Sequence, residues 1–226
     1  MGRAVTSGLV RDTELALGQI CVDQGDAAGA YDAFAAAARA GDPRGYNMLG
    51  RYFQCGWGGS IDGVRAAQYF RKAAELGDVW ALFNLADLHL QGLGVSQNPQ
   101  KALGLYRRAA EHGLAKAQNM LGIFYETGQH VSQDLDRACD LFDAAAKGGD
   151  CWGFFNLGRL FLAEAQHEAA QGAFRASLAV GYPGYWHVLA DRLAGHDDPA
   201  LVRIGDTARA AARGEFDPIA AKHAQA

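Results

Sequence analysis

The residues able to do chemistry are scattered through this sequence. Seven histidines are present, His89, His112, His130, His167, His187, His196 and His223. They contain no HExxH and no other tight ligand pair, and a metal needs several donors brought to one point. His89 falls in one column with Phe53, Tyr125 and Phe161, so a core histidine is expected there. Gly92-x-Gly94 and Gly56-x-Gly58-Gly59 are glycine-rich. Neither follows a strand pattern or precedes Gly-Lys-Ser/Thr, the context that phosphate binding requires. No Gly-x-Ser-x-Gly elbow occurs. Cys21, Cys55, Cys139 and Cys151 show no CxxC spacing, so free thiols in a reducing compartment are expected. The expectation is a protein with no catalytic residues, no metal and no cofactor.

One pattern departs from this. Around Ala81, Leu82, Leu85, Ala86 and His89, a helix with that apolar stripe should be polar on its other side. Instead Trp80, Phe83, Asp87 and Leu90 form a second stripe, and Trp152, Phe155, Arg159 and Leu162 repeat it. The corresponding positions elsewhere are Arg44, Asn47, Arg51 and Gln54, then Lys116, Asn119, Ile123 and Glu126. The stripe alternates basic-polar with aromatic. Large rigid anchors beside hydrogen-bond donors suit a bound peptide, and Arg or Lys suits a carboxylate. The candidate partner-binding residues are Arg44, Asn47, Arg51, Trp80, Phe83, Asp87, Lys116, Asn119, Trp152, Phe155 and Arg159. The competing reading is that these side chains pack against the next element, because a large apolar side chain is more often buried than not.

The elements that position the stripe come from an internal repeat. Leu49-Gly50, Leu85-Ala86, Leu121-Gly122 and Leu157-Gly158 recur at thirty-six residues, as do Gly41, Gly77, Gly113 and Gly149. A fixed period of this size means stacked supersecondary units. Each unit reads as helix, turn, helix. The glycines of the second series suit a left-handed residue after a helix. Asp42, Asp78 and Asp150 follow them as caps of the next helix, and Asp62, Asn98 and Asp134 read as caps of each second helix, with Pro99 at a first helical position. Ala73-Ala74, Ala109-Ala110 and Ala145-Ala146 allow close helix approach, and Phe70, Tyr106 and Phe142 fill the adjacent space. Units of thirty-two or thirty-three residues flank the three full ones, giving six helix pairs over residues 14–214. Residues 1–13 read as a lead-in and 215–226 as a tail.

With these columns, the chain resembles the Sel1-like repeat family, which is related to tetratricopeptide repeats. Val79–Gly113 matches the family pattern nearly throughout, including Gly92-Leu93-Gly94-Val95; Gly128-Gln129-His130-Val131 is a looser copy and Gly56–Ile61 looser still. The resemblance implies an all-α, right-handed α/α solenoid of antiparallel helix pairs, with the first-helix stripe on its concave face. It implies adaptor or assembly roles in signalling and in bacterial envelope, secretion or host-interaction systems, and no reaction. Family members that bind penicillin-type compounds carry regularly spaced cysteine pairs, which this chain lacks.

The bulk numbers bound the alternatives. Lys plus Arg number 21 and Asp plus Glu 25, a net charge of -4, which gives no footprint for nucleic acid. No apolar run is long enough to span a membrane, and Met1–Val10 lacks the apolar core of a secretory signal, so a cytoplasmic location is expected. The expected function is a scaffold or adaptor that holds a protein or peptide on the concave face. The alternatives are an assembly or regulatory subunit using the convex face, an end cap or the tail, and a small-molecule binder or enzyme.

Overall fold

A computed structural model describes residues 2–219, with side chains described from residue 11. Among the described residues there are twelve helices and no strand. They are α1 (Gly2–Asp23), α2 (Ala27–Arg39), α3 (Pro43–Cys55), α4 (Gly63–Glu75), α5 (Val79–Gln91), α6 (Pro99–Glu111), α7 (Ala115–Thr127), α8 (Leu135–Lys147), α9 (Cys151–Ala163), α10 (His167–Val180), α11 (Pro183–Leu193) and α12 (Pro199–Ala212). The stretch read as a lead-in is therefore helical from Gly2, and α1 runs unbroken through the position where the repeat pattern begins. The tail leaves α12 at Arg213, and its residues 220–226 lie outside the described residues.

The caps are set as the columns predict. Asp42, Asp78 and Asp150 accept backbone N–H bonds from Arg44, Ala81 and Gly153. Asp62, Asn98 and Asp134 accept from Arg65, Lys101 and Arg137. Each bond satisfies a donor that the first turn leaves without an intrahelical partner. Leu114 stands in this series without a capping side chain. Most helices are thirteen residues long, too short to persist alone in water. Packing must therefore supply their stability.

The helices divide into two compact units, one ending at His112 and the other beginning at Gly113. In the first, α1–α2, α3–α4 and α5–α6 pair, and α2 meets α3 as α4 meets α5. Phe34, Phe70 and Tyr106 are fully buried, and each ring contributes roughly 1.5–3 kcal/mol of apolar burial. A Cβ on Gly50 would lie 2.4 Å from the Phe70 ring, which explains the glycine of the Leu-Gly column. In the second unit, α7–α8, α9–α10 and α11–α12 pair, and α8 meets α9. The last pair is held differently, because α10 packs against α12. The Trp186 indole also donates to the Leu178 carbonyl at 3.0 Å.

Candidate binding surface

The stripe lies on the first helix of each pair, and the two units treat it differently. In the first unit, Trp80 lies in the first turn of α5 and remains 48% exposed. Its ring meets Phe83 edge-on at 6.2 Å, and Phe83 in turn meets the buried Tyr106 at 5.4 Å. Phe83 and Asp87 are half-buried. The Tyr106 hydroxyl donates to the Asp87 carboxylate. Burial first, and then that carboxylate, push the Tyr106 phenol well above its ordinary range. Trp80 is thus a large apolar side chain at the surface, seated on an aromatic stack that leads into the core.

The basic-polar members of this unit have mixed fates. Asn47 is only 9% exposed and accepts from the Asn84 amide at 2.9 Å, which ties α3 to α5. Arg44 bonds Asp12 of α1 and its own helix cap Asp42, both at 2.7 Å. Burial pushes the Asp42 carboxyl upward, but the Arg44 bonds outweigh it and leave it below the usual range. Arg51 is exposed and lies 5.6 Å over the Trp57 ring.

In the second unit, the equivalent aromatics belong to the core. Phe155 is 6% exposed and meets Phe174 at 5.7 Å. Trp152 is half-buried, with its ring 5.1 Å from Tyr185 of α11. Phe174 belongs to α10 and Tyr185 to the last helix pair. Asn119 is buried and accepts from the Asn156 amide at 2.8 Å, tying α7 to α9. The Arg159 guanidinium is held by both Glu126 oxygens at 2.8 Å. Lys116 is exposed. The stripe residues of the two units thus have different surroundings. Asn47, Asn119 and Phe155 serve contacts between helices, Trp152 leans into the core, and Arg44 and Arg159 are paired within the chain.

A second feature of the first unit escaped the sequence pattern. Tyr31 of α2, Tyr52 and Phe53 of α3, Gly58 and Ser60 of the following loop, and Arg65 of α4 line a cavity of about 220 Å³. Tyr31 meets Tyr52 and Phe53 edge-on at 5.5 and 6.2 Å. Phe53 stacks on Tyr69 at 5.5 Å, and Arg65 lies 4.2 Å over the Phe53 ring. The only available signal was that Trp57-Gly58-Gly59-Ser60 breaks the Gly-x-Gly-Val loop of the repeat.

No group of three or more histidine, cysteine or acidic side chains able to hold a metal occurs among the described residues. No described helix is long and apolar enough to cross a membrane. The four cysteines are free thiols. Burial, followed by the neighbouring Asp150, pushes Cys151 up to about 11, away from the thiolate that nucleophilic chemistry uses.

His89 is 5% exposed; its Nδ1 faces the Ser96 carbonyl at 3.3 Å, while its Nε2 has no hydrogen-bond partner. Nδ1 must carry the proton to donate to that carbonyl, which leaves a bare Nε2 lone pair inside. Burial lowers the ring's pKa below its ordinary 6.5, with Lys101 and Arg71 adding to the effect. Below about pH 6.5 the unfolded chain takes up a proton that the folded chain resists. Stability from this group is full above that pH and declines as pH falls towards the depressed folded value. His89→Phe places the column's usual aromatic there. Its melting temperature is expected to fall less than that of the wild type between pH 7 and pH 5.5, as read by circular dichroism.

The Sel1 repeat family model matches residues 43–78, 81–114 and 115–150. No curated protein matches the sequence. A Sel1 repeat protein from Oxalobacter formigenes is 29% identical, with a TM-score of 0.72 over 89% of this chain and 88% of that one. A protective antigen of uropathogenic Escherichia coli with the same repeat fold is 24% identical. It has a TM-score of 0.63 over 94% of this chain, which spans 46% of that longer protein. An immunity protein from Pseudomonas aeruginosa, 16% identical, shares the fold alone, with a TM-score of 0.63 over 94% of this chain and 83% of that one. Together with the twelve described helices and the repeated caps, these matches show three Sel1 repeats between residues 43 and 150, within an all-α solenoid fold.

Proposed function

We propose that this chain is a non-catalytic scaffold or adaptor, and that it holds a protein or peptide segment on the first-helix face of its first unit. The fold is typical of protein–protein interaction. One observation carries the choice of face: Trp80 is 48% exposed on a helix whose core side is already filled by the buried Ala81, Leu82, Leu85 and Ala86. An exposed aromatic backed by a rigid stack is the kind of anchor that dominates binding energy at interfaces. Phe83 lies beside it, and Arg51 is an exposed cation on α3.

The test compares partner recovery by the wild type and by Trp80→Ala and Phe83→Ala from extracts of the native organism. Loss of the same partner by about ten-fold or more, the scale of one anchor, is expected for Trp80→Ala while the melting temperature stays close to wild type. Unchanged recovery by a folded Trp80→Ala chain would remove this face. Trp152→Ala is expected to lower stability rather than recovery, because that ring packs on Phe155 and Tyr185.

A second reading uses the far end of the chain. Pro183, Trp186, Phe216 and Ile219 border a cleft of about 570 Å³ beside the end of α12. That cleft favours an end-cap or tail contact as the alternative to the first-helix face. Deleting the tail, residues 215–226, and comparing the recovered partners separates the two.

A further inference from the structure

We infer that the cavity between α2, α3 and α4 is a binding site for a small aromatic ring that bears a carboxylate. This site does not rest on the α5 face proposed above. Its walls are Tyr31, Tyr52 and Phe53, and its volume is about 220 Å³. That lies below the roughly 300 Å³ at which ordinary ligand clefts begin, so it admits one ring with a short arm and excludes a nucleotide.

The walls are fixed in advance of any ligand. Tyr31, Tyr52 and Phe53 brace one another edge-on, an arrangement that aromatic rings favour. The loop over them is pinned to the same residues. The Trp57 N–H donates to the Tyr52 carbonyl at 3.1 Å, and the Asp62 N–H donates to the Phe53 carbonyl at 2.9 Å. Gly58 lets the loop lie on Tyr52, since a Cβ there would stand 2.1 Å from the Tyr52 hydroxyl. A ligand therefore meets a formed pocket and loses little to ordering it.

The polar side of the cavity selects an anion. Its lining holds one charged group, Arg65, and no carboxylate. Arg65 uses Nε to bond Asp62 at 2.6 Å, and its Cζ lies 4.2 Å over the Phe53 ring. The two outer nitrogens of the guanidinium remain as a fork of donors, which matches a carboxylate in shape and charge. The exposed Ser60 hydroxyl adds a donor at the rim. The cation-binding face of Phe53 is already taken by Arg65 itself.

The carboxylate could come from a free aromatic acid or from the C-terminal aromatic residue of a peptide. Calorimetry on the full chain would use 3-phenylpropionate, 3-phenylpropanamide, and N-acetyl-Gly-Gly-Phe with a free or amidated C-terminus. The acids are expected to bind saturably, and the amides about ten-fold more weakly or less. Arg65→Gln is expected to remove that difference by weakening the acids alone. A tripeptide acid ten-fold tighter than phenylpropionate assigns the site to a polypeptide C-terminus; equal affinity assigns it to a free acid. No saturable binding by either acid, or equal binding of acid and amide, would overturn the proposal. The acid–amide difference is read on the unaltered chain, so it decides even if Arg65→Gln fails to fold.

Discussion

Gly94→Val is expected to destabilise the first unit by about 3 kcal/mol or more. Two effects add at this position. Gly94 sits at φ 69, a left-handed conformation that costs a branched residue roughly 1–3 kcal/mol. It also presses on the start of α4. A Cβ on Gly94 would stand 1.8 Å from the Gly63 carbonyl carbon, and a Cβ on Gly63 would stand 2.6 Å from the Gly94 nitrogen. The obstacle is backbone on both sides, so no rotamer change relieves it, and overpacking adds roughly 1–3 kcal/mol. The Gly-x-Gly-Val loop thus joins one repeat to the previous one. Gly104 lies within α6 with nothing within 4 Å of its virtual Cβ, and Gly104→Ala is expected to stabilise by roughly 0.5–1 kcal/mol. Urea unfolding of the two variants checks both signs. A neutral Gly94→Val would mean that the loop does not bear on α4.

Tyr106→Phe is the second large effect, expected at roughly 1.5–3 kcal/mol. The ring stays, so almost no apolar burial is lost. The hydroxyl bond to the half-buried Asp87 carboxylate goes, and bonds to a charged group are worth more than neutral ones. The same substitution leaves the ring that supports Phe83 and Trp80 in place. It should therefore lower the urea midpoint while leaving partner recovery per folded molecule unchanged. Tyr106→Ala should lower both. A Tyr106→Phe chain as stable as wild type would show that Asp87 draws nothing from this bond.

The repeat architecture was legible because each column has a local cause. Glycine after the second helices, Asp or Asn before the helices and the Ala-Ala pairs follow from backbone conformation, capping and close packing within a few residues. The stripe was legible as a pattern but not as a surface. Asn47 and Asn119 are drawn inward by Asn84 and Asn156 of the next repeat. Those partners lie one position along from the stripe column, so a search by strict period passes over them. Phe155 and Trp152 are covered by Tyr185, a residue of the atypical last pair. The pocket at Tyr31, Phe53 and Arg65 left one trace, the broken loop at Trp57-Gly58-Gly59-Ser60, because three helices and one irregular loop build it. Periodicity reports which face a side chain takes on its own helix. It does not report what the neighbouring helix brings to that face.

The most direct measurement of the central proposal is photo-crosslinking in the native cell, with a photoreactive phenylalanine analogue placed at Trp80 and, separately, at Phe155. Trp80 is exposed and Phe155 is buried, and the two occupy the same kind of first-helix stripe. Covalent capture of a discrete protein partner from position 80, with none from position 155, is the predicted result. Capture of partners only from other surfaces, with position 80 silent in a folded and expressed chain, would contradict it.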